Sequence, residues 1–160
     1  MALRNVVLAG DPLLRKTSRP VEEITPRIIK LLDDMADTMY YGGRGIGIAA
    51  PQVGVLRRVF IVDVGDEHGL IEFINPEILE ASGSQTDNEG CLSVPGKTCE
   101  VERPSHIKVK ATNRNGNEFE LEADGLLARC ICHENDHLNG VLFIDKSVDG
   151  KIYNTSDVED

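Results

Sequence analysis

The sequence predicts an α+β fold: a mainly antiparallel sheet packed around a central helix, with a long N-terminal helix in addition. Three observations predict it. Residues 26–41 carry apolar side chains at helical spacing. Residues 107–123 alternate apolar and polar on both sides of a turn. Residues 125–138 return to helical spacing. Strands precede the second helix without strict βαβ alternation, which favours α+β.

The first helix is expected over 26–41. Thr25 can cap it, and Pro26 suits its first turn, where no backbone donor is missed. Ile28, Leu31, Leu32, Met35, Ala36 and Met39 form its buried stripe, and Gly42-Gly43 ends it. The stretch from Gly45 to Gly54 is rich in small residues and too irregular for a helix. Val59 to Val62 and Leu70 to Ile74 read as well-buried strands, the second followed by Pro76. Ile107, Val109 and Ala111 alternate with Lys108, Lys110 and Thr112. After the turn signal Asn113 to Asn117, Phe119, Leu121 and Ala123 alternate again, which predicts an antiparallel hairpin. Asp124 can cap a helix running to Leu138, ended by Asn139-Gly140. Leu126, Leu127, Cys130 and Ile131 are expected to bury it against the sheet.

The 160 residues suffice for one domain, expected to span 1–160, and no repeat or linker divides them. The net charge of −10 argues against binding DNA through its phosphates. No apolar run approaches the ~20 residues of a membrane span, so no membrane partner is expected. The N-terminus lacks a cleavage pattern, so the cytoplasm is the expected compartment. Four cysteines there read as ligands or small buried hydrophobes rather than disulfides.

The densest chemistry lies in the central helix. His133-Glu134-Asn135-Asp136-His137 places two imidazoles four residues apart, on one helix face, where both reach one metal ion. Glu134 adjoins the first and can serve as general base toward a water activated by that metal. Two histidines do not complete a site. An extended pattern with a third histidine fails, because Phe143 stands where it would fall. Asp157, Glu159 and Asp160 lie in a polar terminal tail, a poor source of ligands. Cysteine remains. Cys130 and Cys132 share the helix with the histidines, and Cys99 stands among charged residues. Cys91 occupies a stretch, Asn88 to Gly96, whose glycines and proline suggest a tight exposed turn between strands. A buried small hydrophobe is its ordinary alternative. The residues alone leave that choice open.

Three segments taken in order resemble the peptide deformylase family: Gly45-Ile46-Gly47-Ile48-Ala49-Ala50-Pro51-Gln52, Glu89-Gly90-Cys91-Leu92-Ser93, and His133-Glu134-Asn135-Asp136-His137. Asp11-Pro12-Leu13-Leu14-Arg15 and the approach Glu122 to Ala128 are similar too, so the likeness runs from about residue 4 to 146. The resemblance implies a hydrolase that removes the formyl group from N-formylmethionyl peptides and nascent chains, releasing formate. It implies one divalent metal, Fe²⁺ before Zn²⁺, Ni²⁺ or Co²⁺, held by Cys91, His133 and His137. It implies Glu134 as base, with the Gln52 amide and the Leu92 backbone N–H as oxyanion donors. Such a Cys-His-His set leaves a fourth position open, as a catalytic site requires.

Gly45 to Gly47 does not complete a phosphate loop: there is no Lys-Ser/Thr ending, and Ala50 breaks the glycine pattern. We read Gly45, Ile46 and Gly47, with Gly90, as backbone that an extended peptide can approach. Ile46, Leu126 and Cys130 are candidate walls for a methionine side chain. Asp136 lies off the histidine face and is expected to cap or orient a neighbour rather than ligate. The chain departs from the family at Cys132, where many members carry Gln. It departs again at Arg129, where an apolar pocket residue is common, which leaves side-chain selectivity open. Some relatives end in a basic helix suited to ribosomal RNA. Here Asp157-Val158-Glu159-Asp160 argues against ribosome contact by that route, though a transient contact fits the substrate. Two rival readings are a zinc endopeptidase, which would need a cleft for chain on both sides, and a metal-stabilised binding module. A structural site needs four protein ligands and has no use for Glu134 or Gln52.

Overall fold

A computed structural model describes residues 2–41 and 45–157. Helix α1 spans Pro26–Tyr41 and α2 spans Gly125–Leu138. The strands are β1 (Gly47–Ala49), β2 (Val59–Val62), β3 (Ile71–Ser82), β4 (Gln85–Cys91), β5 (Val94–Arg103), β6 (His106–Thr112), β7 (Glu118–Asp124) and β8 (Tyr153–Asn154). Five form one sheet in the order β1-β2-β3-β6-β7, and three form a second, β4-β5-β8. Every paired strand in both sheets is antiparallel.

The two helices cover opposite faces of the five-stranded sheet. Phe60, Val62 and Phe73 pack with Ile107, Val109 and Ala123 against Leu127, Ala128 and Ile131 of α2. Val59, Ile61 and Ile74 face Leu31, Leu32, Met35 and Met39 of α1. Strand β2 is therefore buried on both sides, which is why it reads as an unbroken apolar run. Strand β6 is buried on one face only. Its outward Lys108 and Lys110 meet Glu120 and Glu118 of β7 at 3.2 and 3.3 Å, and the strand alternates accordingly.

The bounds of α1, β2 and α2 and the antiparallel β6–β7 hairpin match expectation, and the Ile28 N–H donates to Thr25 Oγ1 at 3.4 Å. The expected stop at Gly42-Gly43 lies outside the described residues, as do Val158, Glu159 and Asp160. Three expectations are corrected. Strand β3 does not end before Pro76; it continues to Ser82, because the register shifts between Ile74 and Glu77 and the proline sits in that irregularity, where no ladder donor is required. Asp124 does not cap α2 with its side chain. Its Oδ1 instead accepts from His106 Nδ1 at 2.6 Å across the β6–β7 pair. Leu126 does not bury α2 against the sheet; it is 52% exposed, at the rim of the cleft described below.

Candidate active site

The last turns of α2 carry His133, Glu134 and His137, all buried. The β4–β5 hairpin brings Cys91 to them. Cys91 ends β4, pairs with Val94 across a two-residue turn, and is half-buried. Cys91 Sγ lies 3.3 Å from His137 Nε2. One ligand atom from each of Cys91, His133 and His137 lies within 4.8 Å of the other two. The other cysteines stand apart. Cys99 and Cys132 are packed in apolar clusters, and burial pushes the Cys132 thiol up to about 11. Cys130 donates to the Ile46 carbonyl at 3.4 Å.

Glu89, two residues before Cys91, sets the histidine geometry. Its Oε1 lies 2.9 Å from His133 Nδ1. A carboxylate only accepts, so Nδ1 carries the proton and Nε2 is left toward Cys91. Burial would raise the Glu89 carboxyl, but hydrogen bonds from Arg103 and His133 outweigh it and hold it at about 2. Arg103 grips both Glu89 oxygens at 2.9 Å and reaches Asp136 Oδ2 at 2.6 Å. Asp136 thus orients a neighbour, as expected, and also meets Lys146 at 3.1 Å.

The field at these atoms suits a cation. Burial lowers the His133 imidazole, yet Glu134, Cys91 and Glu89 outweigh that and lift it to about 10. Burial, reinforced by His133, takes His137 down to about 3. Cys91, His133 and His137 would together hold a divalent cation, whose charge would stand in a proton's place there. A soft thiolate with two imidazoles is a donor set for a borderline divalent metal.

Glu134 stands beside this group, its Oε2 4.0 Å from His133 Nε2. Burial pushes its carboxyl up to about 7. Its Oε1 is buried without a hydrogen-bond partner among the described residues. Gln52 approaches from the turn after β1 and is 1% exposed. The Ala49 N–H donates to its Oε1 at 2.9 Å, which fixes the amide orientation. Its Nε2 therefore points to Ser93 Oγ at 3.1 Å and Cys91 Sγ at 3.3 Å.

A cleft of about 440 Å³ opens onto Cys91, His133 and Glu134. The residues anticipated for substrate, Gly45, Ile46, Gly47, Gly90, Leu126 and Cys130, all line it, with Leu92. Strands β1 and β4 are both edge strands, and each contributes residues to its walls. A Cβ at position 47 would lie 2.6 Å from Glu134 Oε2 and 2.9 Å from Cys130 Sγ, so a side chain there would displace them. Three participants lacked a sequence signal of their own. Glu89 and Ser93 stand inside a quoted motif without assigned roles, and Arg103 lies in none.

A family model described as Polypeptide deformylase matches residues 3–152. The chain belongs to the polypeptide deformylase family. It is similar to a peptide deformylase of Clostridium botulinum (strain Alaska E43 / Type E3), 58% identical over 147 residues, covering 92% of this chain and 98% of that one. A peptide deformylase of Agathobacter rectalis is 51% identical, covering 98% and 96%. Among solved structures, peptide deformylase from Thermotoga maritima superposes with a TM-score of 0.88 at 44% identity, covering 92% of this chain and 99% of that chain. That from Legionella pneumophila gives 0.86 at 45%, covering 91% and 86%. The reaction of this deformylase family is hydrolysis of the formyl amide, removing the N-formyl group from an N-terminal formylmethionine, and it is metal-dependent. No helix among the described residues is long and apolar enough to cross a membrane.

Proposed function

We propose that residues 1–160 act as one catalytic domain whose cleft hydrolyses the formyl amide with Cys91, His133 and His137 as metal ligands. The observation that carries this is the unpartnered Glu134 carboxylate oxygen beside three converging ligand atoms. When bound, the metal supplies Lewis acidity that brings the ionisation of a water near neutral pH. Glu134 takes the water proton on its carboxylate and later delivers it to the leaving amine nitrogen. The water oxygen adds to the formyl carbon, the C–N bond breaks, and formate and a free amine result. Gln52 Nε2 and the Leu92 backbone N–H donate to the oxygen on which charge develops.

Gly45, Ile46 and Gly47, with Gly90 opposite, pair an extended peptide between two strand edges. Ile46, Leu126 and Cys130 enclose the methionine side chain. Fe²⁺ is the metal we assign, since the thiolate-imidazole set accepts it and Co²⁺, Ni²⁺ or Zn²⁺ alike, and availability then decides. We place the enzyme in the cytoplasm, meeting nascent chains by transient contact at the ribosome. Metal content of purified variants tests the ligand set. Cys91→Ser should lose most of its metal while Cys99→Ser keeps it; the reverse result would remove Cys91 from the site.

A further inference from the structure

Arg129 stands at a position where the family resemblance leads one to expect an apolar pocket residue. It lines the cleft, yet it is buried, and its terminal nitrogens are committed elsewhere. NH1 donates to Glu89 Oε2 at 2.5 Å and to the Val101 carbonyl at 3.0 Å, and reaches the Asp87 carbonyl at 3.5 Å. NH2 donates to the Gln85 carbonyl at 3.3 Å. All four acceptors belong to the β4–β5 hairpin.

That hairpin carries Cys91, whereas His133 and His137 ride on α2. Among the described residues, the hairpin's sheet shares no ladder with the five-stranded sheet against which α2 packs. The three ligands therefore come from two separately built pieces, and their spacing depends on how firmly these are joined. Arg129 precedes His133 by four residues, on the same face of the helix. Glu89 takes Arg129 on one oxygen and His133 on the other. One turn beyond, Asp136 of α2 is tied to Arg103 of the hairpin. The joint is thus fastened on either side of His133.

We propose that Arg129 is a positioning residue: it clamps the hairpin bearing Cys91 to the helix bearing the histidines, and so sets how long the metal is held. It is not a receptor for a charged substrate side chain, because NH1 and NH2 are taken up by Glu89 and three carbonyls. Removing it leaves Glu89 still paired with Arg103 and His133, so no carboxylate is stranded; what is lost is the set of bonds across the joint. The proposal rests on the ligand assignment above.

The test uses the Co²⁺-loaded enzyme, in which the thiolate-to-cobalt absorption band reports Cys91 ligation. Its decay on adding a chelator gives the metal release rate. Arg129→Leu should release metal about tenfold faster or more, and Arg129→Lys, which keeps the charge but spans fewer acceptors, should fall between. The KM for a formyl-Met peptide should stay within about threefold of wild type in both. Release at the wild-type rate in Arg129→Leu overturns the clamp, and so does a large rise in KM without faster release. Should Arg129→Leu not fold, Arg129→Lys decides: wild-type release overturns the proposal. Cys91→Ser separates the two readings. A band that survives it overturns the ligand assignment and the clamp with it, whereas its loss there leaves any failure to the clamp alone.

Discussion

Glu89 Oε1 and His133 Nδ1 lie 2.9 Å apart, and this one hydrogen bond decides which nitrogen of the imidazole faces Cys91. Glu89 also receives Arg103 and Arg129, all three buried. Glu89→Ala should therefore weaken metal binding about 10- to 100-fold. It should also cost about 3–5 kcal/mol of stability, because the buried Arg129 guanidinium loses its counter-charge and Arg103 is left with Asp136 alone. Metal titration and denaturant unfolding measure the two effects; a variant unchanged in both would deny Glu89 its role.

Glu134→Gln keeps the side-chain size and removes the base. Its metal content should match wild type while deformylation falls by about 10²–10⁴. Full activity in a metal-loaded Glu134→Gln enzyme would place the proton transfer elsewhere.

Gly47→Ala puts a methyl group 2.6 Å from Glu134 Oε2. The carboxylate must move, and a displacement near 1 Å costs about 100-fold in rate. Metal content should hold, since no ligand atom is touched. Wild-type kcat in this variant would show that the strand edge gives way instead.

Gln52→Ala removes the donor facing Cys91 and also unpairs the Ala49 N–H. We expect kcat to fall by about 10²–10³ with KM little changed, the mark of a bond that matters in the transition state. A rise in KM at constant kcat would make Gln52 a substrate-binding residue only.

A fifth expectation lies far from the metal. Burial would raise the Asp34 carboxyl, but hydrogen bonds from Arg4 and Lys30 outweigh it and hold it below its ordinary value. A depressed carboxylate contributes stability above its unfolded value, about 3.9, and that contribution fades as pH falls through the folded value. The stability gap between wild type and Asp34→Asn should thus be widest near neutrality and shrink toward pH 3. A gap independent of pH, read by denaturant unfolding, would contradict this.

Helix bounds and the β6–β7 hairpin were legible because their patterns are local. The stripe of α1 and the alternation of β6 each report a single buried face. The turn of the β4–β5 hairpin was legible in the glycines and proline around Cys91, but the extent of its strands was not, since β4 is mostly exposed and polar and shows no period-2 signal. Pro76 misled for a related reason: a register shift in β3 depends on the partner strand rather than on the run itself. His133, Glu134 and His137 stood out because metal spacing on a helix is short-range, whereas Cys91 was singled out by the family resemblance. The charges behind them did not. Glu89 and Arg103 meet across the β4–β5 hairpin and Arg129 joins them only through packing of hairpin on helix, and each alone reads as a surface charge.

Formate release is the direct test that this cleft hydrolyses a formyl amide. The chain is purified without oxygen, its metal content measured, and a formyl-methionyl peptide added. One formate should appear for each free amino terminus, in proportion to bound metal, with internal peptide bonds intact. Cleavage of an internal bond without formate would contradict the account.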